Sequence, residues 1–297
     1  MRKSTGIGYL FAIISAVIYG SMPLMAKYIY ADGVTPMTLV FLRNALSIVP
    51  LGILAYREHK TLKIPVKSLP MVAWIAVCGC IITPTLLLSS YEFIPSSTAT
   101  VFHFAYPAVV VLAGIVFLKR RVQWMNLLCV LLCVAGIGLF YTPQQSLNLT
   151  GSVLALSSAL SFAAYVVLLS CFDSRQASGF LFGFYVAVIS SIGSLVLCLA
   201  TRQLVFPTAT AIWGLCALFS LLVTTGAVVL FQQSTFIIGG ERASILSTLE
   251  PITGVMIGCF VFHEPLNPRT VFGSALVITA ALLIAVMDLK HAQKQQA

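Results

Sequence analysis

The chain has 297 residues, of which 59% are hydrophobic and 8% charged, against roughly 25% charged in an average soluble domain. No soluble fold hides that much apolar surface, so the composition excludes a water-soluble enzyme or binding module and leaves a membrane protein. The formal charge of +9 is scattered over short polar stretches with no aromatic and basic interleaving, so no nucleic-acid partner is expected and topogenesis at an anionic bilayer explains the charge.

Ten apolar stretches follow one another, at 7–27, 36–56, 70–91, 96–118, 123–141, 151–171, 178–201, 211–236, 241–262 and 269–288. Each is close to the roughly 20 residues that cross about 30 Å of hydrocarbon. Continuous apolarity without two-residue alternation predicts helices rather than barrel strands, because lipid offers the backbone no hydrogen-bond partner. The first stretch follows two basic residues like a signal peptide, but it is long enough to span and is read as the first helix.

Basic residues in short loops mark the cytoplasmic face. With a cytoplasmic N-terminus that face holds Arg2, Lys3, Arg57, Lys60, Lys63, Lys67, Lys119, Arg120, Arg121, Arg175, Arg242, Lys290 and Lys294, thirteen of the seventeen. Lys27, Arg202 and Arg269 lie near span ends on the other side, and Arg43 lies inside a span. Both termini are therefore expected in the cytoplasm, at a cell (inner or plasma) membrane. The eight cysteines fall within spans, where small polarizable side chains pack between helices; neither a disulfide nor a metal site is expected, and no cofactor. Trp74, Trp124 and Trp213 near span ends fit an interfacial belt. The sequon Asn148–Thr150 carries no weight.

The second half of the chain repeats the first. GYLFAIISAVIYG from Gly8 matches GSVLALSSALSFA from Gly151 at Gly, Ala, Ser and Ala, an offset of 143. ATVFHFAYPAVVVLAG from Ala99 matches ASILSTLEPITGVMIG from Ala243 at Ala, Pro and the closing Gly, an offset of 144. Shared membrane composition accounts for part of this likeness, since small residues let helices approach. The common order, the nearly common offset and a polar junction TPQQSLNLT between the halves favour duplication. Five crossings per copy place the copies upside down relative to each other. The expected fold is an all-α membrane protein of ten transmembrane helices, as two inverted five-helix repeats, 7–141 and 151–288, around a central cavity.

AVIYGSMPLMAKY in the first span, TPMTLVFLRNAL opening the second, and LEPITGVMIGCFVFHEPLNPRTVFGSALVITAALLIAV across the last two resemble the drug/metabolite transporter superfamily, specifically its EamA-type members. The likeness covers nearly the whole chain. It implies a carrier for a small metabolite, often an exporter, with helices one, three, four, six, eight and nine around the cavity; a related subgroup exports amino acids, including aromatic ones. Pro251 and Glu264 fill the roles of the family's mid-helix Pro and following Glu. The first repeat departs from the pattern, with Arg120 where Glu264 would match.

Glu250 follows Arg242 by eight residues, about 12 Å into the bilayer at 1.5 Å per residue. An acid at that depth is costly and faces a cavity or a partner, as a coupling group or as a neutral acid bonded to a neighbouring helix. Pro107 and Pro251 occupy equivalent places, and each removes an amide that the carbonyl four residues earlier, of His103 or Ser247, would have taken; the two kinks either flank a substrate site or serve packing. His103 and Tyr106 share a helical face and stand where the second repeat has Ser247 and Glu250. Arg43, seven residues inside its span, has Glu92 or helix-terminal carbonyls as candidate partners, with snorkelling as the alternative. Further lining candidates are Ser15, Tyr19, Thr83, Ser89, Ser161, Tyr165 and Gln232.

These readings predict a secondary transporter that moves a small metabolite, an amino acid or related compound, outward by alternating access, with or without proton coupling. A drug or cationic-compound exporter is the alternative within the class. A channel or a membrane-embedded enzyme is the alternative from another class, and the absence of HExxH, GxSxG and P-loop motifs gives the enzyme no support.

Overall fold

A computed structural model of the chain describes residues 2–117, 119, 124–139, 148–173, 179–262 and 268–294. Among these residues there is no strand, and the helices run α1 (Arg2–Gly20), α2 (Met22–Tyr30), α3 (Pro36–His59), α4 (Leu69–Ala76), α5 (Thr83–Ser90), α6 (Ser96–His103), α7 (Tyr106–Val116) and α8 (Trp124–Gly138). The remainder are α9 (Leu149–Cys171), α10 (Gly179–Thr201), α11 (Thr210–Phe219), α12 (Val229–Ile238), α13 (Gly240–Leu246), α14 (Glu250–Phe262) and α15 (Pro268–Lys294). Among the described residues seven apolar helical runs are long enough to cross a bilayer, and Trp124–Gly138 and Val271–Leu283 are shorter apolar helices. The stretch expected as the ninth span is divided between α13 and α14. Glu264, Arg120 and most of the central junction lie outside the described residues.

Local chemistry fixes where the helices start and bend. Thr35 caps α3 by accepting the Thr38 amide at 3.2 Å, with Pro36 in the first turn. Asn148 caps α9, its Oδ1 accepting the amides of Thr150 and Gly151 at 2.9 and 3.3 Å. Pro23 has no amide for the Tyr19 carbonyl, and the chain breaks between α1 and α2 at Ser21, whose hydroxyl donates to Ile18 O at 2.7 Å.

The third expected span bends through a π-helical segment, Val77–Ile82, which joins α4 to α5. Pro84 leaves the Cys80 carbonyl without its usual donor, and the Asn44 side-chain amide reaches it from α3 at 3.2 Å. Cys78 O accepts the Thr83 amide, the Thr83 hydroxyl at 2.7 Å and the Ser161 hydroxyl from α9 at 2.9 Å. Side chains of two neighbouring helices thus supply what the irregular turn lacks, as broken backbone at membrane depth requires. A second π-helical segment, Ser220–Val228, joins α11 to α12, and Ser15 donates to its Ala227 carbonyl at 2.8 Å.

The stretches expected as the fourth and ninth spans are interrupted. Between α6 and α7 the Phe104 and Ala105 amides turn back to Thr100 and Phe102 at 2.9 and 3.2 Å, just before Pro107. Between α13 and α14 lies a 3-10 turn, Ser247–Leu249, just before Pro251. Its geometry hands the Ser247 carbonyl to the Glu250 amide, so the acceptor expected to be left free at that kink is taken.

The most extensive helix packing is α3 along α10, followed by α8 along α15, α1 against α12 and α5 against α9. At one end of the bundle the loops 31–35 and 202–209 meet. Asp32 accepts the Thr208 hydroxyl and amide at 2.8 and 2.7 Å and the Ala209 amide at 3.4 Å, while the Thr35 and Thr38 hydroxyls donate to Gln203 O at 2.6 and 2.8 Å. At the other end Asn126 of α8 donates to Glu241 of α13 at 2.8 Å, and Tyr185 of α10 donates to Leu62 O at 2.8 Å.

Candidate functional site

The interrupted helices α6/α7 and α13/α14 face each other at the middle of the bundle, and a cavity opens beside them. Their termini bring His103, Tyr106, Ser247 and Glu250 to its wall, joined by Tyr19 from α1, Arg43 from α3 and Thr83 from α5. The rest of the lining is apolar: Met22, Gly79, Pro84, Leu87, Phe162 and Phe231. Measured to the centres of water-sized spheres, the space is about 40 Å³, room for about three waters.

The polar groups of the wall are held from several helices. His103, 6% exposed, places Nδ1 2.9 Å from Ser158 Oγ. Ser158 directs its own proton to Ala155 O at 2.6 Å, so the network assigns the Nδ1 proton to His103 and leaves Nε2 an acceptor. The Tyr106 hydroxyl bonds Ser247 Oγ, and Ser247 in turn donates to Ser244 O at 2.9 Å, tying α7 to α13 across the site. Glu250, the first residue of α14, is partly exposed and lines the cavity, and among the described residues it pairs with no cation. Arg43 is 3% exposed, and its Nε has no hydrogen-bond partner. An unpartnered buried guanidinium N–H is costly and is the kind of group a ligand or water must satisfy.

An aromatic cluster backs the cavity. Phe162 meets Tyr106 edge-on with ring centroids 4.6 Å apart and lies 5.5 Å from both His103 and Phe231. Tyr165 sits behind, 5.2 Å from Phe162 and 6.1 Å from Phe231, against the backbone of Gly79. A Cβ at position 79 would lie 2.2 Å from the Tyr165 ring, so only glycine lets this segment approach. Gly20 is similar: a Cβ there would lie 2.7 Å from Glu250 O, and its absence lets α1 reach the start of α14.

Other sequence-predicted residues stand apart from the cavity. Ser15 and Ser161 turn their hydroxyls to the π-segment carbonyls named above, and Tyr165 is in the second layer. Ser89 is half-buried near the end of α5, with its carbonyl taken by the Glu92 amide at 3.2 Å. Gln232 is fully buried with neither amide atom hydrogen-bonded, beside Gly183 of α10. The Arg43–Glu92 pairing is not formed. Glu92 is exposed in the turn after α5 while Arg43 is enclosed seven residues down α3, and water solvates the carboxylate better than a long buried reach would. Lys27 is exposed. Pro107 and Pro251 are buried, each the second residue of the helix that follows the break, α7 and α14.

Sequence reasoning missed Phe162 and Phe231. Each is the chain neighbour of a residue chosen for its polarity, Ser161 and Gln232, and about 100° around the helix from it.

Buried polar helix breaks around a central cavity, inside an all-helical apolar bundle, define a multi-pass membrane transporter. The chain belongs to the EamA-like transporter family of the drug/metabolite transporter superfamily, whose model matches residues 6–142 and again residues 149–286. An uncharacterized transporter of Haemophilus influenzae is 26% identical over 187 residues, 59% of this chain and 61% of that one. An S-adenosylmethionine uptake transporter of Rickettsia bellii is 22% identical over 301 residues, 99% and 98% of the two chains. The uncharacterized inner membrane transporter YicL of Salmonella typhimurium is 23% identical over 299 residues, 98% and 99% of the two. A solved crystal structure superposes with a TM-score of 0.76 at 16% identity, over 94% of this chain and 96% of the other; at that identity the likeness is one of fold.

Proposed function

We propose that the chain is an alternating-access carrier of ten transmembrane helices in two inverted repeats, with both termini in the cytoplasm, and that it moves a small zwitterion, an amino acid or related compound, outward. The observation that carries the substrate class is the cavity wall. Arg43 and Glu250 face one small space with no ion pair between them, and aromatic rings flank it. A solute bearing a carboxylate and an ammonium offers an acceptor to the unpartnered Arg43 Nε and a counter-charge to Glu250.

The inverted repeat is supported by which positions line the cavity. Tyr19 and Phe162 are equivalent at the offset of 143, and Leu87 and Phe231, His103 and Ser247, and Tyr106 and Glu250 at 144; all eight are in the wall. The helix packing follows the same exchange, α1 on α12 answering α9 on α5. Both third-in-repeat spans carry a π segment, and both fourth-in-repeat spans break before a proline. A space of about 40 Å³ is too small for an amino acid, so helices must part for loading and release, as rocking of one half against the other provides.

Proteoliposomes preloaded with one unlabelled compound and offered its labelled form test the reading. Amino acids, quaternary amines, nucleosides and S-adenosylmethionine make up the panel. Zwitterions are expected to show saturable counterflow, and Arg43→Gln and Glu250→Gln each to raise KM about 10- to 150-fold, the worth of one charge-assisted hydrogen bond. Flux without saturation or counterflow overturns the carrier, and selective transport of simple quaternary amines overturns the zwitterion. A second reading, uptake of S-adenosylmethionine, is favoured by the name of the full-length Rickettsia bellii relative. That compound joins an amino-acid zwitterion to a sulfonium and a flat adenine, and counterflow of it alone would select this reading.

A further inference from the structure

The cross-site bond between Tyr106 and Ser247 has an image in the chain that is not made. Tyr106 and Glu250 are each the first residue of the second half of a broken helix, one position before its proline; His103 and Ser247 each end or follow the first half. The offset of 144 carries Tyr106 to Glu250 and His103 to Ser247. The same exchange therefore turns the Tyr106–Ser247 bond into a Glu250–His103 bond. In this structure only the first exists: His103 is engaged with Ser158, and Glu250 has no ion-pair partner among the described residues, although both face one cavity.

The next layer has the same one-sidedness. Ser15 and Ser158 are equivalent at the offset of 143, and Ser158 bonds the hinge residue His103. The image, Ser15 on Ser247, is absent, and Ser15 bonds Ala227 O instead. Two copies of one motif thus hold different partners, as expected when each copy has two arrangements and the copies occupy opposite ones.

We infer that Tyr106–Ser247 and His103–Glu250 are alternative bonds, the first holding the conformation seen here and the second holding the one that opens the opposite end of the bundle. This rests on the inverted-repeat carrier proposed above, in which the halves exchange conformations during a cycle. The two bonds differ in chemistry. A tyrosine–serine bond involves no titrating group at neutral pH, whereas a histidine–carboxyl pair holds an exchangeable proton between two groups that each bind one. Making the second pair links the conformational equilibrium to pH. The groups facing the pair are Tyr19 from α1, Arg43 from α3, Tyr91 from the turn after α5 and Tyr106 from α7, with Cys133 of α8 behind Tyr106. Arg43 is the one permanent charge among them.

Hydrogen–deuterium exchange of the full chain in lipid nanodiscs tests the exchange of bonds. Peptides over 31–35 and 202–209 report one end of the bundle, and peptides over 60–68 and 239–246 the other. Tyr106→Phe and Ser247→Ala should shift protection from one end to the other by about five-fold, the worth of one buried hydrogen bond. His103→Asn, which keeps a donor at the Nδ1 position for Ser158 and loses Nε2, and Glu250→Met, which leaves no donor and only a weak thioether acceptor at 250, should shift it the opposite way by a similar factor. The double variant His103→Asn with Glu250→Met should do no more than either alone. In the unaltered chain the balance should move between about pH 5 and 8, and in those two variants it should not. Additive effects of His103→Asn and Glu250→Met, or shifts in the same direction as Tyr106→Phe, overturn the inference. Protection that never moves reciprocally between the ends, in any variant or at any pH, overturns the carrier reading itself. Retained monodispersity of each variant in nanodiscs separates these outcomes from misfolding.

Discussion

Replacing Gly79 by alanine tests how far the cavity wall depends on the π-helical segment Val77–Ile82. A Cβ at 79 falls 2.2, 2.5 and 2.6 Å from three atoms of the Tyr165 ring. Relaxed carbon contacts lie at about 3.5–4.0 Å, so ring and backbone must part by roughly 1.3 Å or more. The ring cannot simply turn aside. Phe162 and Phe231 stand 5.2 and 6.1 Å from it between centroids, and both are cavity wall. Overpacking of this kind costs about 1–3 kcal/mol, and the displaced rings carry part of that strain to the substrate surface. Gly79→Ala is therefore expected to lower Tm and, once an exchanged solute is known, to raise its KM by less than about 150-fold, the ceiling reached if about 3 kcal/mol of strain fell wholly on the site at about 1.4 kcal/mol per tenfold. Tyr165→Leu in the same chain should relieve the strain, so the pair should be strongly non-additive in Tm and in KM. An alanine at 79 with unchanged Tm and unchanged KM would refute the packing argument.

Ser161→Ala should leave KM within about two-fold of the parent, because the Cys78 carbonyl keeps both Thr83 groups and the serine does not face the cavity; Phe162→Ala, one residue on, should alter KM strongly, and equal effects in a counterflow assay would reverse that assignment. Asn148→Ala should lower thermal stability by about 1 kcal/mol through loss of the α9 cap, read as a fall in Tm, and an unchanged Tm would show that the capping amides find water instead. The hydrogen bonds from Thr208 hold the Asp32 carboxyl below the usual carboxylate range. A folded value below the unfolded one means that this clamp stabilises at any pH above about 4 and is lost as pH falls through the folded value. Melting curves across that range should show a smaller acid-induced drop in Asp32→Asn than in the parent, and identical acid limbs would count against the clamp.

The class of fold was legible because lipid leaves few choices. Apolar runs of about 20 residues must satisfy their own backbone, and helices do so without any knowledge of their neighbours. The helix breaks were legible for a similarly local reason: Pro107 and Pro251 lack an amide wherever they stand. The matched offsets also identified His103 and Tyr106 with Ser247 and Glu250, and the structure sets all four on one wall. The lining residues of α9 and α12 were not legible. Polarity pointed to Ser161 and Gln232, yet the serine serves the Cys78 carbonyl and the glutamine lies toward α10, while the aromatic neighbours face the cavity.

That error has a general cause. In water, polarity tells which side of a helix is outside; in a membrane bundle, a hydroxyl can face a ligand or repair a neighbouring helix's irregular backbone, and the two look alike in sequence. The π segment at Val77–Ile82 draws on Ser161 and Asn44 only because α9 and α3 pass beside it. The exposed Glu92 and the enclosed Arg43 make the same point for charge: the sequence offers them as partners, one just past the end of α5 and one seven residues inside α3, and their depths in the assembled bundle keep them apart. Composition and proline placement thus decided by themselves that this chain is a bundle of membrane helices with two central breaks. Which side chains face the solute space depended on helix rotation, and rotation is fixed by contacts between segments far apart in the chain.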